Sequence, residues 1–221
     1  MQLLARSLDL SPPSPMACPN GLVLFTRYPE VGKTKTRLIP HLGAPKAAAL
    51  QRRMTEHIVS NLQTWQSQSA AAVEVHFAGG TLSSMQRWLG TGLTYQCQTE
   101  GEFGQRLQHV FHQGLQKFQR LVVIGADCPS ITPNHLKTAF QLLQNHDVVI
   151  GPAHDGGYYL IGLSQVCPAL FQSVPWGTAQ VFEQTVAIAR QRRLSLATLE
   201  TLSDIDRPED LSILPQPLAV L

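Results

Sequence analysis

Two hydrophobic periods alternate along this chain. From Gly21 onward, short apolar runs are interleaved with stretches of helical spacing. Leu22-Val23-Leu24-Phe25 is a continuous apolar run, which predicts a strand covered on both faces. Residues 45–65 predict a helix, with Pro45 in the first turn, where a missing N–H does no harm. Val73-Glu74-Val75-His76-Phe77 alternates with the period of two expected of a strand. Residues 94–98 give a weaker strand signal. Phe103, Leu107, Val110, Phe111 and Leu115 recur at helical spacing and mark one buried face. Residues 121–124 predict a strand, 133–145 a helix, and 148–150 and 158–163 two further strands. Thr178 is a plausible N-cap for a helix running to about Arg193. A last strand is expected over 196–199, and Pro208 starts a short final helix.

Strand–helix alternation of this kind argues for an α/β domain with a mostly parallel sheet and helices on both faces. Residues 21–221 read as one domain. Residues 1–20, with Ser11-Pro12-Pro13-Ser14-Pro15, read as a loose Pro-rich tail, within which Met16 offers a second start. The apolar stretch near the N-terminus is broken by Ser7 and Asp9, unlike a secretory signal. In open α/β sheets, ligands bind at the carboxyl ends of the strands, so polar residues just after strands matter most.

Composition narrows the function classes. The 221 residues carry 17 Lys+Arg against 15 Asp+Glu, a net charge of +2. Only 14% are charged, against roughly 25% in an average soluble domain. With 43% hydrophobic residues, disorder throughout is excluded. A dedicated nucleic-acid binder would be more basic and more clustered, so no nucleic-acid partner is expected. No run of about 18 apolar residues exists, so no membrane span is expected. Cys18, Cys97, Cys128 and Cys167 are scattered without a Cys-x-x-Cys pair, against a disulfide framework or zinc knuckle. Isolated thiols suit the cytoplasm.

Four post-strand segments carry candidate chemistry. After Phe25 comes Thr26-Arg27-Tyr28-Pro29-Glu30-Val31-Gly32-Lys33-Thr34-Lys35-Thr36-Arg37-Leu38. Gly32-Lys33-Thr34 suggests a phosphate-cradling P-loop, but that motif needs glycine at position 27, which is arginine, and Pro40 would interrupt the helix that should follow. What remains is a loop around Gly32 with four cations, Arg27, Lys33, Lys35 and Arg37, suited to a polyphosphate. A solvated basic loop is an equal reading of composition alone. Gly125-Ala126-Asp127-Cys128-Pro129-Ser130 follows the most apolar strand. Its carboxylate could hold a divalent cation or merely cap a turn. In Gly151-Pro152-Ala153-His154-Asp155-Gly156-Gly157-Tyr158-Tyr159, paired glycines permit close approach of a ligand. Asp155 could bind a hydroxyl or act as a base, but Asp-Gly is a favoured hairpin turn pair, and judged alone the segment reads as a turn. In Asp204-Ile205-Asp206-Arg207-Pro208-Glu209-Asp210-Leu211, carboxylates at i and i+2 point the same way, and one could join Asp127 at a metal, or Asp206 could cap the next helix. Gly101 to Arg106 opens a helix whose free amides, with Arg106, could meet an anion. Trp176, between Pro175 and Gly177, could stack on a sugar or base or simply pack.

Taken in order, these segments resemble the small bacterial branch of the nucleotide-diphospho-sugar transferases often labelled arsenosugar-biosynthesis glycosyltransferases. That branch carries Phe-x-Lys-x-Pro-x-x-Gly-x-x-Lys-Thr-Arg-Leu, seen here from Phe25 to Leu38 with Arg27 for the lysine. Gly-Ser-Asp-Cys-Pro appears as Gly125 to Pro129 with Ala126. Gly-Pro-x-x-Asp-Gly-Gly-Tyr-Tyr-Leu-x-Gly is intact from Gly151 to Gly162. Asp-x-Asp-Thr-x-Glu-Asp-Leu appears as Asp204 to Leu211 with Arg207 for threonine. Gly101 to Leu107 matches Gly-x-Leu-Gly-Glu-Arg-Leu except at Phe103 and Gln105.

The resemblance implies a glycosyltransferase A-type fold, a three-layer α/β/α domain around a mostly parallel mixed sheet. It also implies an enzyme, with Mg2+ or Mn2+ at Asp127 and Asp206. Phosphates would be held by Arg27, Gly32, Lys33, Lys35, Arg37 and Arg106. Asp155, Gly156, Gly157 and Trp176 would border the acceptor or sugar pocket, and Asp155 and Arg37 would serve catalysis. Thr36-Arg37-Leu38-x-Pro40 is also similar to the end of the nucleotidyltransferase loop. The resemblance leaves the reaction open: the branch's label favours glycosyl transfer from a nucleotide sugar to a small-molecule acceptor, and the loop's likeness favours nucleotidyl transfer. The alternatives are nucleotidyl transfer from an NTP to a phosphorylated small molecule, or nucleotide binding without catalysis. Oligomeric state is left open by these patterns.

Overall fold

A computed structural model describes residues 19–215 and residue 218. The Pro-rich tail (apart from Pro19 and Asn20), Met16 and Cys18 lie outside the described residues. The strands are β1 (Asn20–Arg27), β2 (Ala71–Ala78), β3 (Thr94–Cys97), β4 (Arg120–Gly125), β5 (Val148–Pro152), β6 (Tyr158–Leu163) and β7 (Leu196–Thr198). They form one sheet in the order β3-β2-β1-β4-β6-β5-β7. Only β6 runs against its neighbours, pairing antiparallel with both β4 and β5, while the remaining pairs are parallel. The expected α/β class with a mostly parallel mixed sheet is the observed one.

The helices are α1 (Ile39–Leu42), α2 (Ala44–Gln66), α3 (Leu82–Leu89), α4 (Phe103–Lys117), α5 (Pro133–Leu142) and α6 (Val181–Gln191). Each central strand sends alternate side chains to opposite layers, as the pleat requires. Leu22, Leu24, Val122 and Ile124 join α2 and α5 on one face, where Trp65 stacks on Phe140 at 5.2 Å. Val23, Phe25, Leu121 and Val123 join α4 on the other, where Phe111 stacks on Phe171 at 5.3 Å. Both faces are covered, so β1 and β4 read as continuous apolar runs rather than alternating ones.

Several boundaries differ from the sequence expectation. The helix over 133–145 stops at Leu142, and the final Pro208–Ile213 segment is a 3-10 helix. Thr178 does not cap α6: its hydroxyl donates to the Pro175 carbonyl at 2.7 Å, and the helix begins at Val181. Helix α3 is unanticipated, because Met85 is its one buried residue. Among the described residues, no helix is long and apolar enough to cross a membrane.

Candidate active site

A cleft of about 830 Å³ opens beyond the carboxyl ends of the strands. It gathers most of the segments singled out in the sequence. Arg27, Lys33, Lys35, Arg37, Arg106, Asp127, Asp155, Gly157, Trp176 and Asp206 all line it, whereas Gly32 and Gly156 do not.

The loop after β1 is tied down locally. Lys33 N donates to the Glu30 carbonyl at 3.1 Å, and so does the buried Thr34 hydroxyl at 3.1 Å. Gly32 supplies a positive φ of 82°. Lys35 is also left-handed, at φ 47° and ψ 45°, a conformation uncommon outside glycine. Its side chain turns inward and is only 3% exposed. The ammonium lies 2.6 Å from Asp127 Oδ1 and 3.9 Å from Asp206 Oδ1, and donates to the Ile205 carbonyl at 2.5 Å. Arg37 is exposed and donates to Asp206 Oδ2. Lys33 pairs with Glu30 at 2.7 Å on the surface. The four loop cations thus differ: Lys35 and Arg37 face the acids, Lys33 has a local partner, and Arg27 has no ion-pair partner among the described residues.

The acidic side is assembled by backbone bonds. After β7 the chain continues beside β5, with Leu199 N on Ile150 O at 2.9 Å and Leu202 N on Pro152 O at 3.1 Å. Ile205 N then reaches Asp127 O at 2.9 Å. Ile205 is buried, and the flanking Asp204 and Asp206 both face the cleft, as i and i+2 positions should. The capping role weighed for Asp206 falls to Asp210 instead. Its carboxylate accepts from Asp206 N at 2.9 Å and Arg207 N at 2.7 Å. Asp127 does not cap α5 either, since the N-cap position belongs to Thr132.

Asp155 sits in the β5–β6 connection, so the hairpin and cleft readings hold together. Its Oδ1 accepts from Gly157 N at 2.8 Å. Gly156 has φ 87°, and a Cβ there would lie 2.1 Å from the Ala179 carbonyl oxygen. Its glycine identity therefore serves packing against residue 179. Burial, and next the neighbouring Asp155 charge, raise the Asp204 carboxyl from its ordinary value.

The opposite end is aromatic and cationic. Arg106 Nη1 donates to Gln98 Oε1 at 2.7 Å, while its buried Nε has no hydrogen-bond partner among the described residues. Burial, then the charge of Arg27, lower the Arg106 pKa. Two arginines facing one another without an acid favour an anion between them. The helix start is less open than expected, because Gln105 Oε1 already accepts from Glu102 N at 3.0 Å. Trp176 meets Phe103 edge-on at 5.0 Å and Tyr158 at 6.1 Å. It is half-buried, both packed and facing the cleft. Gln98 was missed in the sequence. It is the first residue after β3, and its Nε2 donates to His76 O at 2.9 Å and Thr26 O at 3.2 Å.

The fit to a divalent cation can be judged from the donors. Asp127 and Asp206 converge on one cation, the Lys35 ammonium, with the Ile205 carbonyl alongside. Such an all-oxygen set suits Mg2+ or Mn2+, which typically take one or two carboxylates and complete their shell with phosphate and water. Among the described residues, no group of three or more His, Cys, Asp or Glu could hold a metal ion, so a cation here would need oxygens from the substrate. The residues fit a substrate-shared cation.

Comparison with known proteins shows what the chain is similar to. Residues 61–178 match a family model described as an uncharacterized protein conserved in bacteria, DUF2064. A crystal structure from Desulfovibrio desulfuricans G20, provisionally named a nucleotide-diphospho-sugar transferase, is similar with 32% identity and a TM-score of 0.83, over 90% of this chain and 87% of that one. The inositol-1-phosphate CTP transferase of T. maritima shares the fold at 13% identity and TM-score 0.55, over 92% of this chain and 94% of that one. Glucosyl-3-phosphoglycerate synthase of Mycobacterium tuberculosis, solved with Mn2+, UDP and glucosyl-3-phosphoglycerate, shares it at 12% identity and TM-score 0.55, over 86% and 73%. No curated protein matches the chain by sequence.

Proposed function

This chain belongs to the DUF2064 family, and from that premise we propose that it is a metal-dependent transferase acting on a nucleotide-activated donor, by glycosyl transfer from a nucleotide sugar. The observation that carries the reading is the meeting of Asp127 and Asp206 with Lys35 and Arg37 in one cleft. The 32% identity to the Desulfovibrio protein supports the nucleotide-sugar donor. We also assign the chain to the arsenosugar-biosynthesis branch, on the five motif segments it carries in order. Residues 21–221 form its catalytic domain, working in the cytoplasm.

In this reading Arg27, Lys33, Lys35, Arg37 and Arg106 hold the diphosphate, with Gly32 shaping the loop. A Mg2+ or Mn2+ held by Asp127 and Asp206 would neutralise developing charge as a Lewis acid. The acceptor hydroxyl oxygen bonds to the anomeric carbon, and the bond from that carbon to the diphosphate oxygen breaks. Asp155 takes the hydroxyl proton, and Arg37 meets the charge on the departing nucleoside diphosphate. Gly156, Gly157 and Trp176 border the pocket for sugar and acceptor.

A second reading is nucleotidyl transfer, favoured by the cations that directly face the acid pair. There a phosphate oxygen of the acceptor would bond the α-phosphorus of an NTP, and pyrophosphate would leave. Phosphorus NMR with Mn2+ replaced by Mg2+ separates the two. UDP, GDP, CDP, ADP and dTDP sugars, and the four NTPs, are each incubated with phosphorylated and unphosphorylated acceptors. Nucleoside diphosphate from a nucleotide sugar supports glycosyl transfer. Pyrophosphate formed only from an NTP overturns it in favour of nucleotidyl transfer. Nucleotide binding without turnover of any donor favours a non-catalytic role.

A further inference from the structure

We propose that Lys35 is an internal counter-ion which occupies the Asp127 carboxylate, with Asp206 held chiefly by Arg37, and makes divalent-cation binding conditional on arrival of a phosphate group. The inference rests on the nucleotide-transferase reading and adds an order of binding to it.

Of the four loop cations, only Lys35 is withdrawn from solvent, with 3% of its side chain exposed. It reaches Asp127 Oδ1 at 2.6 Å and the Ile205 carbonyl at 2.5 Å, with Asp206 Oδ1 at 3.9 Å. These are the oxygens a divalent cation would share. A buried ammonium needs an anionic partner, so it does not leave these oxygens without compensation. A divalent cation entering beside it would also meet like charge across a few ångströms.

The backbone keeps Lys35 there. Its left-handed φ of 47° lies between Thr34, fastened to Glu30, and Leu38, whose N–H bonds the Lys35 carbonyl at 2.9 Å. A phosphate entering the cleft offers the ammonium an alternative set of anionic oxygens. When Lys35 turns to it, Asp127 becomes available to the metal, and Asp206 follows as the exposed Arg37 turns to the same phosphate. Phosphate and metal then raise one another's affinity reciprocally, as linkage demands. Lys33 is the internal contrast, since it is 67% exposed and pairs with Glu30 instead.

The test is a titration of the full-length protein with Mn2+ in the absence of phosphate, following free Mn2+ by electron paramagnetic resonance. Lys35→Met is expected to bind Mn2+ at least about tenfold more tightly than the wild type, a typical coupling. Lys33→Met is expected to stay within about twofold of wild type. Equal affinities of wild type and Lys35→Met would overturn the proposal. So would equal tightening in both variants, which would indicate a general field effect.

Should Lys35→Met fail to fold, wild-type thermal shifts decide. Pyrophosphate should lower the Mn2+ concentration for half-maximal shift by at least about tenfold, whereas an unchanged concentration refutes the coupling. If Lys35→Met tightens Mn2+ and pyrophosphate couples to Mn2+ in the wild type, but no nucleotide or nucleotide sugar shifts it, the counter-ion proposal stands and the transferase reading falls.

Discussion

Removing Asp127 should destabilise the protein by way of Lys35. Asp127→Ala leaves a buried ammonium with the Ile205 carbonyl at 2.5 Å and a carboxylate no nearer than 3.9 Å. A fully buried pair that loses one partner costs about 3–5 kcal/mol, and an exposed pair about 0–1 kcal/mol. This pair is lopsided, with the lysine side chain 3% and the aspartate side chain 57% exposed. Water solvates the carboxylate in both states, and Asp206 takes up part of the charge. We therefore expect about 2 kcal/mol from Asp127→Ala. Lys35→Met should cost less, since it leaves only carboxylates that water can reach, and it removes most of the penalty when combined with Asp127→Ala. Urea unfolding of wild type, both single variants and the double variant in metal-free buffer completes the cycle. The predicted coupling is about 1–2 kcal/mol. A coupling below about 0.5 kcal/mol would refute the claim that Lys35 depends on Asp127.

Three further outcomes are expected. Gly156→Ala combines φ 87° with a Cβ 2.1 Å from the Ala179 oxygen, so it should lose more than about 1–2 kcal/mol. Gly32→Ala, at φ 82° in open space, should lose less, and equal midpoints in urea would contradict the packing argument. Burial pushes the Cys128 thiol up to about 12, while Cys97 is exposed. Peptide mapping after labelling at pH 8 should find Cys97 modified and Cys128 protected. The native Cys128 keeps its proton above pH 9 where the unfolded thiol loses it. Stability at this group is therefore full below about pH 9 and declines toward pH 12, and Cys128→Ala should flatten part of that decline. Asp155→Asn should cut turnover by about 10²–10⁴-fold if Asp155 takes the acceptor proton. Full turnover in that variant would remove it from the mechanism.

The sheet was legible because its central strands are apolar throughout, and because each is followed by glycine, proline or a polar turn. The reversal of β6 was only half-visible, as the Asp155-Gly156 turn pair between two apolar runs. Helix α3 escaped because it spans barely two turns and buries only Met85. Its available signal was Thr81 placed three residues before Ser84, whose side chains and amides bond reciprocally at 2.7 and 3.2 Å. The candidate site was legible as a set of post-strand segments, and the cleft brings those segments together. The partners within it were not. Lys35 reads in sequence as one more cation of a basic loop, and only its left-handed backbone and the return of residue 205 from 170 positions away set it among acids. Gln98 and Arg106 likewise meet only because the end of β3 lies beside the first turn of α4. Asp210, an unremarked acid in the sequence, takes the backbone amides of residues 206 and 207 and so leaves the Asp206 side chain to the cleft.

The account stands most directly on metal-dependent nucleotide binding at the Asp127 side of the cleft. Isothermal titration of wild type and Asp127→Ala with the nucleotide-sugar and NTP set, with and without Mn2+, measures it. At least one nucleotide should bind wild type about tenfold or more tightly with Mn2+, and Asp127→Ala should lose that gain. Binding that is indifferent to Mn2+ and unchanged in Asp127→Ala would contradict the account.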